Sequence, residues 1–372
     1  MKRFYELIRK LFFKESDAGS WFKWSAGTVL TIVLGAALLA FVVDPHYRYR
    51  LPRFYDMVFY EAYATAPRLL DEWDYDVLML GSSMARNFYL DDISNVFGGK
   101  ALKISAAGAS SYDLKKLADT AVAAKGDKIK KVIYLLDIYA VNKVRPNYKE
   151  FEYMYSSSHW EDYRYLFGRQ TFSSMIYLIK RKTRPKGKRA VQAIPNKMFS
   201  TEHSKTRYSM EEVINSARHY VQIGHRQTGY RPGYEAVMNS EILAIFDNNP
   251  GIDFTVIVPP YHLYAYCLSE RSGEADKLLQ QKTVILKELL KRKNVRLFDF
   301  QSDPEIVCSG DYFTDVQHSS SALARKILNW ISEGKYQLRT PEDIEANEKR
   351  LRQIIKEAMP QFNVAIEKKG TF

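Results

Sequence analysis

Two cysteines, Cys267 and Cys308, are all that the 372-residue chain contains. That is too few for the disulfide framework of a small secreted scaffold or for a cysteine metal cluster. Sequence alone leaves open whether the two pair with each other. Among the histidines, His203, His219 and His225 show no metal-like spacing and read as structural. Neither a Gly-x-Gly-x-x-Gly nor a phosphate-loop lysine is present, which speaks against a nucleotide-binding domain. Zinc-ligand spacing, a basic zipper and RNA-binding signatures are also missing. The net charge of +12 therefore points away from nucleic acid and toward an anionic membrane surface or an anionic polymer. No internal repeat is evident, and the pattern calls for no cofactor and no metal.

Charge is lacking locally as well. Residues 24–43 carry none over 20 positions, a length that matches a hydrocarbon core of ~30 Å at ~1.5 Å per residue. Before this span lie Lys2, Arg3, Arg9, Lys10, Lys14 and Lys23, against Arg48, Arg50 and Arg53 soon after it. The positive-inside rule then places the N-terminus in the cytoplasm and the rest in the periplasm or outside the cell. The basic region is long and no clear small-x-small cleavage site follows, so a single spanning helix in the inner or plasma membrane fits better than a signal peptide. Residues 44–73 read as an aromatic, basic juxtamembrane connector that leads into a helix near residues 60–72.

From residue 74 the pattern alternates. Strands are expected over 75–80, 101–105, 131–137, 253–259 and 295–300. Helices are expected over 90–97, 112–124, 234–247, 275–293 and 322–331. Strands separated by helices predict an α/β domain over 74–335 with an open, doubly wound, parallel five-stranded sheet, whose ligands bind at the carboxyl ends of the strands. Residues 141–230 fit no βα unit and read as a mostly helical insertion. They hold an aromatic cluster around Tyr153–Phe167 and a basic run over 180–189. Residues 336–372 form a charged helical tail, with the helix over 342–359.

Within this frame Gly81-Ser82-Ser83-Met84 follows the unbroken apolar run Val77-Leu78-Met79-Leu80. A serine on a strand-to-helix turn offers its hydroxyl as a nucleophile, lets the turn cradle an anion, or merely caps the turn. Near the C-terminus stands Asp315-Val316-Gln317-His318. A carboxylate three residues before a histidine folds back in one turn, so Asp315 accepts from Nδ1 and leaves Nε2 as a base. His262, after the fourth strand, belongs at the same sheet edge, as a substrate contact or as a cap.

Three blocks together resemble the SGNH (GDSL-like) hydrolases, in the membrane-anchored branch similar to the D-alanyl-transfer and O-acyl esterase proteins of cell-envelope modification. Gly81-Ser82-Ser83 resembles the first block, Ser105-Ala106-Ala107-Gly108 the second, and Asp315-x-x-His318 the last. The resemblance covers about residues 74–333. It implies a flavodoxin-like sheet, Ser83 as nucleophile, His318 as general base, Asp315 as its orienter, and an oxyanion hole from the N–H groups of Ser83 and Gly108. The family's third block supplies an asparagine after strand three. Here Asp137 and Tyr139 stand there, and Asn142 comes two or three residues late. Asn142 is the candidate third donor, and Tyr139 and His262 are the candidate substrate contacts.

The implied activity is that of an extracytoplasmic serine esterase or O-acyltransferase acting on acyl groups of a cell-envelope glycan. Its partners would be that glycan or an acylated carrier, the membrane through one helix, and a membrane O-acyltransferase. The alternative is a non-catalytic SGNH-like component of a polysaccharide or cell-wall assembly complex.

Overall fold

The computed structural model describes residues 18–52, 55, 57, 61–143, 145–180, 196–200, 205–224 and 230–367. The basic stretch before residue 18, the run 181–189, His203 and His225 lie outside the described residues. The chain divides into two compact units, Met1–Asp56 with Ser156–Val191 and Met57–Tyr155 with Gln192–Phe372. The segment expected as one insertion is thus shared between them.

In the first unit the helix Ala18–Val43 runs 26 residues, about 39 Å at ~1.5 Å per residue. It begins six residues before the uncharged window (24 − 18), since a single Lys23 does not interrupt a helix. Ala40 is its one buried residue, so it is no core helix of this chain. It is long and apolar enough to cross a membrane. A polar knot closes its C-terminal end. Asp44, at φ 47°, accepts the N–H groups of Arg48 (2.7 Å), Tyr49 (2.9 Å) and Arg50 (3.0 Å) and the hydroxyl of Tyr165 (2.7 Å). Arg50 donates to the carbonyls of Phe41 (2.8 Å) and Val42 (2.7 Å), which the helix itself leaves unsatisfied. Buried Arg48 pairs with Asp162 at 2.8 Å, and His46 Nε2 meets Ser174 Oγ at 3.0 Å. These bonds tie the helices Asp162–Leu166 and Arg169–Lys180 to the end of the apolar helix.

The second unit is α/β. Strands β1 (Val77–Gly81), β2 (Ala101–Ser105), β3 (Lys131–Leu135), β4 (Asp253–Val258) and β5 (Val295–Asp299) run parallel. A sixth, β6 (Gln337–Leu338), pairs antiparallel with β5, so the expected five-stranded sheet has six. Two residues are too few to show a strand period in sequence, and β6 forms because it covers the otherwise open edge of β5. The order is β2-β1-β3-β4-β5-β6. Every residue of β1 and β2 is buried, which is why the β1 run is unbroken rather than alternating.

Right-handed crossovers explain the layers. The chain steps from β1 outward to β2, returns past β1 to β3, then continues the other way to β4 and β5. The helix Leu90–Phe97 therefore lies on one face, where it meets Ser321–Ser332. Ser111–Lys125, the π-helical turn Met238–Leu243 and Ala275–Leu290 pack together on the other. The reversal of direction leaves a crevice beyond the carboxyl ends of β1 and β3, the ligand position in open α/β sheets. The C-terminal helix Pro341–Glu367 continues through Pro360, beyond the expected end at 359. Phe362, fully buried against Tyr264 (ring centroids 5.0 Å), holds that last turn on the domain.

Candidate active site

Gly81 ends β1 where only glycine fits. A Cβ there would lie 2.8 Å from Ala85 Cβ and 3.0 Å from Leu135 Cβ. The chain can thus turn at once into the short 3-10 helix Ser83–Ala85. Ser82 fixes this turn: its hydroxyl donates to Asp137 Oδ2 (2.8 Å) and accepts from Met84 N–H (3.3 Å), while its carbonyl accepts from Ser105 Oγ (2.9 Å). Ser83 is left to face outward.

The structure brings Ser83, His318 and Asp315 together. Ser83 Oγ is 2.8 Å from His318 Nε2, across 235 residues of sequence. His318 Nδ1 is 2.7 Å from Asp315 Oδ2. The other carboxylate oxygen, Oδ1, accepts the backbone N–H groups of Gln317 and His318, each at 2.7 Å. Burial works to raise the Asp315 pKa, but the ring bond, the charge of His318 and these two N–H groups outweigh it. The carboxyl titrates below its ordinary range. With Asp315 ionised, Nδ1 donates to it, and Nε2 is free to accept the serine proton.

Asn87, which nothing in the sequence pattern singled out, joins the two loops. Its Nδ2 donates to Ser319 O (2.7 Å), and its Oδ1 accepts from Ser200 (3.0 Å). Lys103 is a second such residue. It is fully buried in β2, and its Nζ donates to the carbonyls of Arg86 (2.7 Å) and Phe88 (2.6 Å), just past the serine turn. Burial pushes its pKa down to about 7.

A cavity of about 270 Å³ opens over Ser83 and His318 and is lined by Arg86, Asn87, Thr206, Tyr208, Thr314 and Asp315. Among the described residues Arg86 has no carboxylate partner. Partial burial lowers its pKa, as expected of a cation held where solvent is scarce.

Gly108 sits in the turn after β2 at φ +66°, a conformation that favours glycine. Lys143 Nζ (2.5 Å) and Asn147 Nδ2 (2.9 Å) donate to its carbonyl and fix the peptide. Among the described residues the N–H groups of Ser83 and Gly108 donate to no acceptor.

Two expected substrate contacts lie elsewhere. His262 is 1% exposed. Its Nδ1 accepts the N–H of Tyr264 (3.1 Å), so it caps the helix Leu263–Arg271, and Phe313 and Tyr264 flank its ring. Tyr139 has its hydroxyl on Ser269 Oγ (3.2 Å) and Ala265 O (3.4 Å), turned into the domain. The side chain of Asn142 lies outside the described residues. Asp137 does not stand as a bare charge: besides Ser82, it accepts from the Tyr261 hydroxyl (2.6 Å) and Tyr139 N–H (3.1 Å). Cys267 is buried and Cys308 exposed, both as free thiols.

Burial also pushes the His262 pKa down from 6.5 to about 4. The unfolded chain binds this proton below pH 6.5, the folded chain only below about 4. The neutral ring's contribution is therefore complete above pH 6.5 and is lost as the pH falls toward 4. Between pH 7 and pH 5 it lowers the unfolding free energy by about 2 kcal/mol. His262→Asn keeps a cap without a titrating group. Urea unfolding at the two pH values is expected to show a smaller difference in this variant by that amount; an unchanged difference rejects the account.

Comparison with protein-family models finds no match for the chain, and comparison with curated proteins finds none.

Proposed function

We propose that the chain is a membrane-anchored serine esterase or O-acyltransferase of the SGNH type, acting outside the cytoplasm on acyl esters of a cell-envelope glycan or an acylated carrier. One observation carries this reading: the unbroken hydrogen-bond chain Ser83–His318–Asp315 beside an open cavity. Ser83 Oγ attacks the ester carbonyl as its proton passes to His318 Nε2. The N–H groups of Ser83 and Gly108 take the charge of the tetrahedral oxyanion. Collapse expels the alcohol, which receives the proton from His318, and leaves an acyl-Ser83 ester. Water or a sugar hydroxyl then attacks that ester and gives its proton to His318; the bond between the acyl carbon and Ser83 Oγ breaks, His318 returns the proton to Oγ, and the product leaves. Hydrolysis and transfer differ only in this second nucleophile; a membrane O-acyltransferase partner would supply the acyl donor for transfer.

A fluorophosphonate probe applied to the full chain in detergent tests the reading. Labelling is expected in the native protein and its loss in Ser83→Ala. A native protein that takes no label overturns the reading in favour of a non-catalytic component of an envelope-assembly complex.

Arg86 adds selectivity to this reading. A half-buried guanidinium without a carboxylate partner among the described residues, lining the cavity of the nucleophile, suits a substrate with an anionic group near the reacting ester. A hydrogen bond to a charged group contributes ~1.5–3 kcal/mol. Arg86→Met is therefore expected to lower kcat/KM about 10- to 100-fold for an aryl ester bearing a carboxylate. A neutral aryl ester should be nearly unaffected. Equal losses on both esters would mean that Arg86 only shapes the turn.

A further inference from the structure

We propose that the helix pair Asp162–Leu166 and Arg169–Lys180 is a second membrane contact, seated in the headgroup layer of a lipid bilayer beside the spanning helix. The proposal rests on reading Ala18–Val43 as membrane-spanning. Single exposed apolar side chains are ordinary on a protein surface. Here they gather in one short segment: Trp160 is 87% exposed, Tyr163 60%, Phe167 47% and Ile176 51%. Tryptophan and tyrosine are the side chains that favour the boundary between lipid and water.

The place of this segment is set by the polar knot. Asp44 follows the last residue of the apolar helix directly, and it accepts the hydroxyl of Tyr165. Arg48 pairs with Asp162, and His46 meets Ser174. Tyr163 and Phe167 stand two positions on either side of Tyr165, in and next to the short helix that this bond ties to the end of the apolar helix. If that helix crosses a bilayer, these rings are at its surface. The second helix of the pair agrees. In its C-terminal half Met175 and Leu178 are buried while Ile176 is exposed, so apolar groups occur on both faces. Lipid would cover the exposed one, as it would Trp160, Tyr163 and Phe167.

Charge selects the bilayer over a protein as occupant. The sequence leads from this helix into the run 180–189, with seven Lys or Arg in ten residues. Such a run near a membrane surface is attracted to anionic headgroups.

The test uses the full chain with Cys308→Ser, in which the remaining cysteine, Cys267, is buried and unreactive. Trp160→Cys is labelled with an environment-sensitive dye, and the protein is reconstituted into vesicles of phosphatidylcholine and phosphatidylglycerol. A group seated ~5–10 Å into the boundary is expected to be quenched at least about twofold more by a spin label high on the acyl chain than by one at its end. It should also be shielded from aqueous iodide. Iodide quenching equal to that of the free dye adduct overturns the proposal. Shielding from both iodide and lipid spin labels does so too, since a protein then covers the patch. Leu34→Cys, labelled in the same background, reads the spanning helix separately. A deep Leu34 with a water-exposed residue 160 refutes the interfacial contact alone; a water-exposed Leu34 refutes the spanning reading itself.

Discussion

Ser83→Ala and His318→Ala are each expected to lower kcat/KM on an activated aryl ester by about a millionfold, and the double variant by no more than either single one. Nucleophile and base act as a unit: without Nε2 the hydroxyl keeps its proton, and without the hydroxyl Nε2 has nothing to deprotonate. Their losses therefore do not add. A residual acceleration of about 10³–10⁴ over water remains from the oxyanion donors and substrate binding. The fold should tolerate Ser83→Ala, because the turn is held by its neighbour. Ser82, through Asp137, Met84 N–H and Ser105, carries the bonds that fix the strand end. Ser82→Ala should show the reverse balance, with stability lost by about 1–3 kcal/mol as the bond to Asp137 and the one from Met84 N–H disappear. Rates from single-turnover assays, with unfolding curves for the same proteins, separate the two serines. Additive losses in the double variant, or a fall of less than about a hundredfold in Ser83→Ala, would rule out the Ser–His unit.

The run that forms β1 was readable because a strand buried on both faces leaves an unbroken hydrophobic stretch between polar flanks, and β2 to β5 were readable as short, mostly apolar runs between helical stretches. Residues 101–105 and 90–97 coincide with the observed strand and helix. Asp315 and His318 were readable as a pair because they meet within one turn. Their meeting with Ser83 was readable only as a shared sheet edge, an inference from topology. What escaped was set by contacts distant in sequence. Lys103 lies in an otherwise apolar strand, and only the fold reveals the carbonyls of Arg86 and Phe88 that accept from it. In sequence Asp137 stands in the place of the third block's asparagine. The hydroxyls of Ser82 and Tyr261, 55 and 124 residues away, engage it. His262 was placed on the correct loop, but its ring direction follows from a cap on the next helix, which no sequence period announces. The sixth strand and the 3-10 segment Asn147–Tyr155 have no periodic signature at all, since neighbouring elements impose them.

Asp315→Asn is expected to lower kcat about 10⁴-fold while leaving the fold nearly intact. The geometry gives the reason. The carboxylate divides its work: Oδ1 accepts the N–H groups of Gln317 and His318, and Oδ2 accepts the ring Nδ1–H. An asparagine that keeps its oxygen on the two backbone N–H groups must turn its amide N–H₂ toward Nδ1. Nδ1 then has to accept, which shifts the imidazole proton to Nε2, where it faces Ser83 and blocks proton transfer. The loop survives and the tautomer is wrong. Asp315→Ala, by contrast, strands both N–H groups and should cost about 1–3 kcal/mol of stability besides the rate. The native carboxyl titrates below its ordinary range. Its stabilisation is therefore complete above the unfolded value of about 3.9 and is lost as the pH falls through the lower folded value. In Asp315→Asn this acid loss should vanish, and the kcat deficit should persist throughout neutral pH. Stopped-flow acylation rates and acid unfolding curves of the two proteins measure both halves. A deficit of less than about tenfold at neutral pH would mean that Asp315 serves the loop and not the histidine.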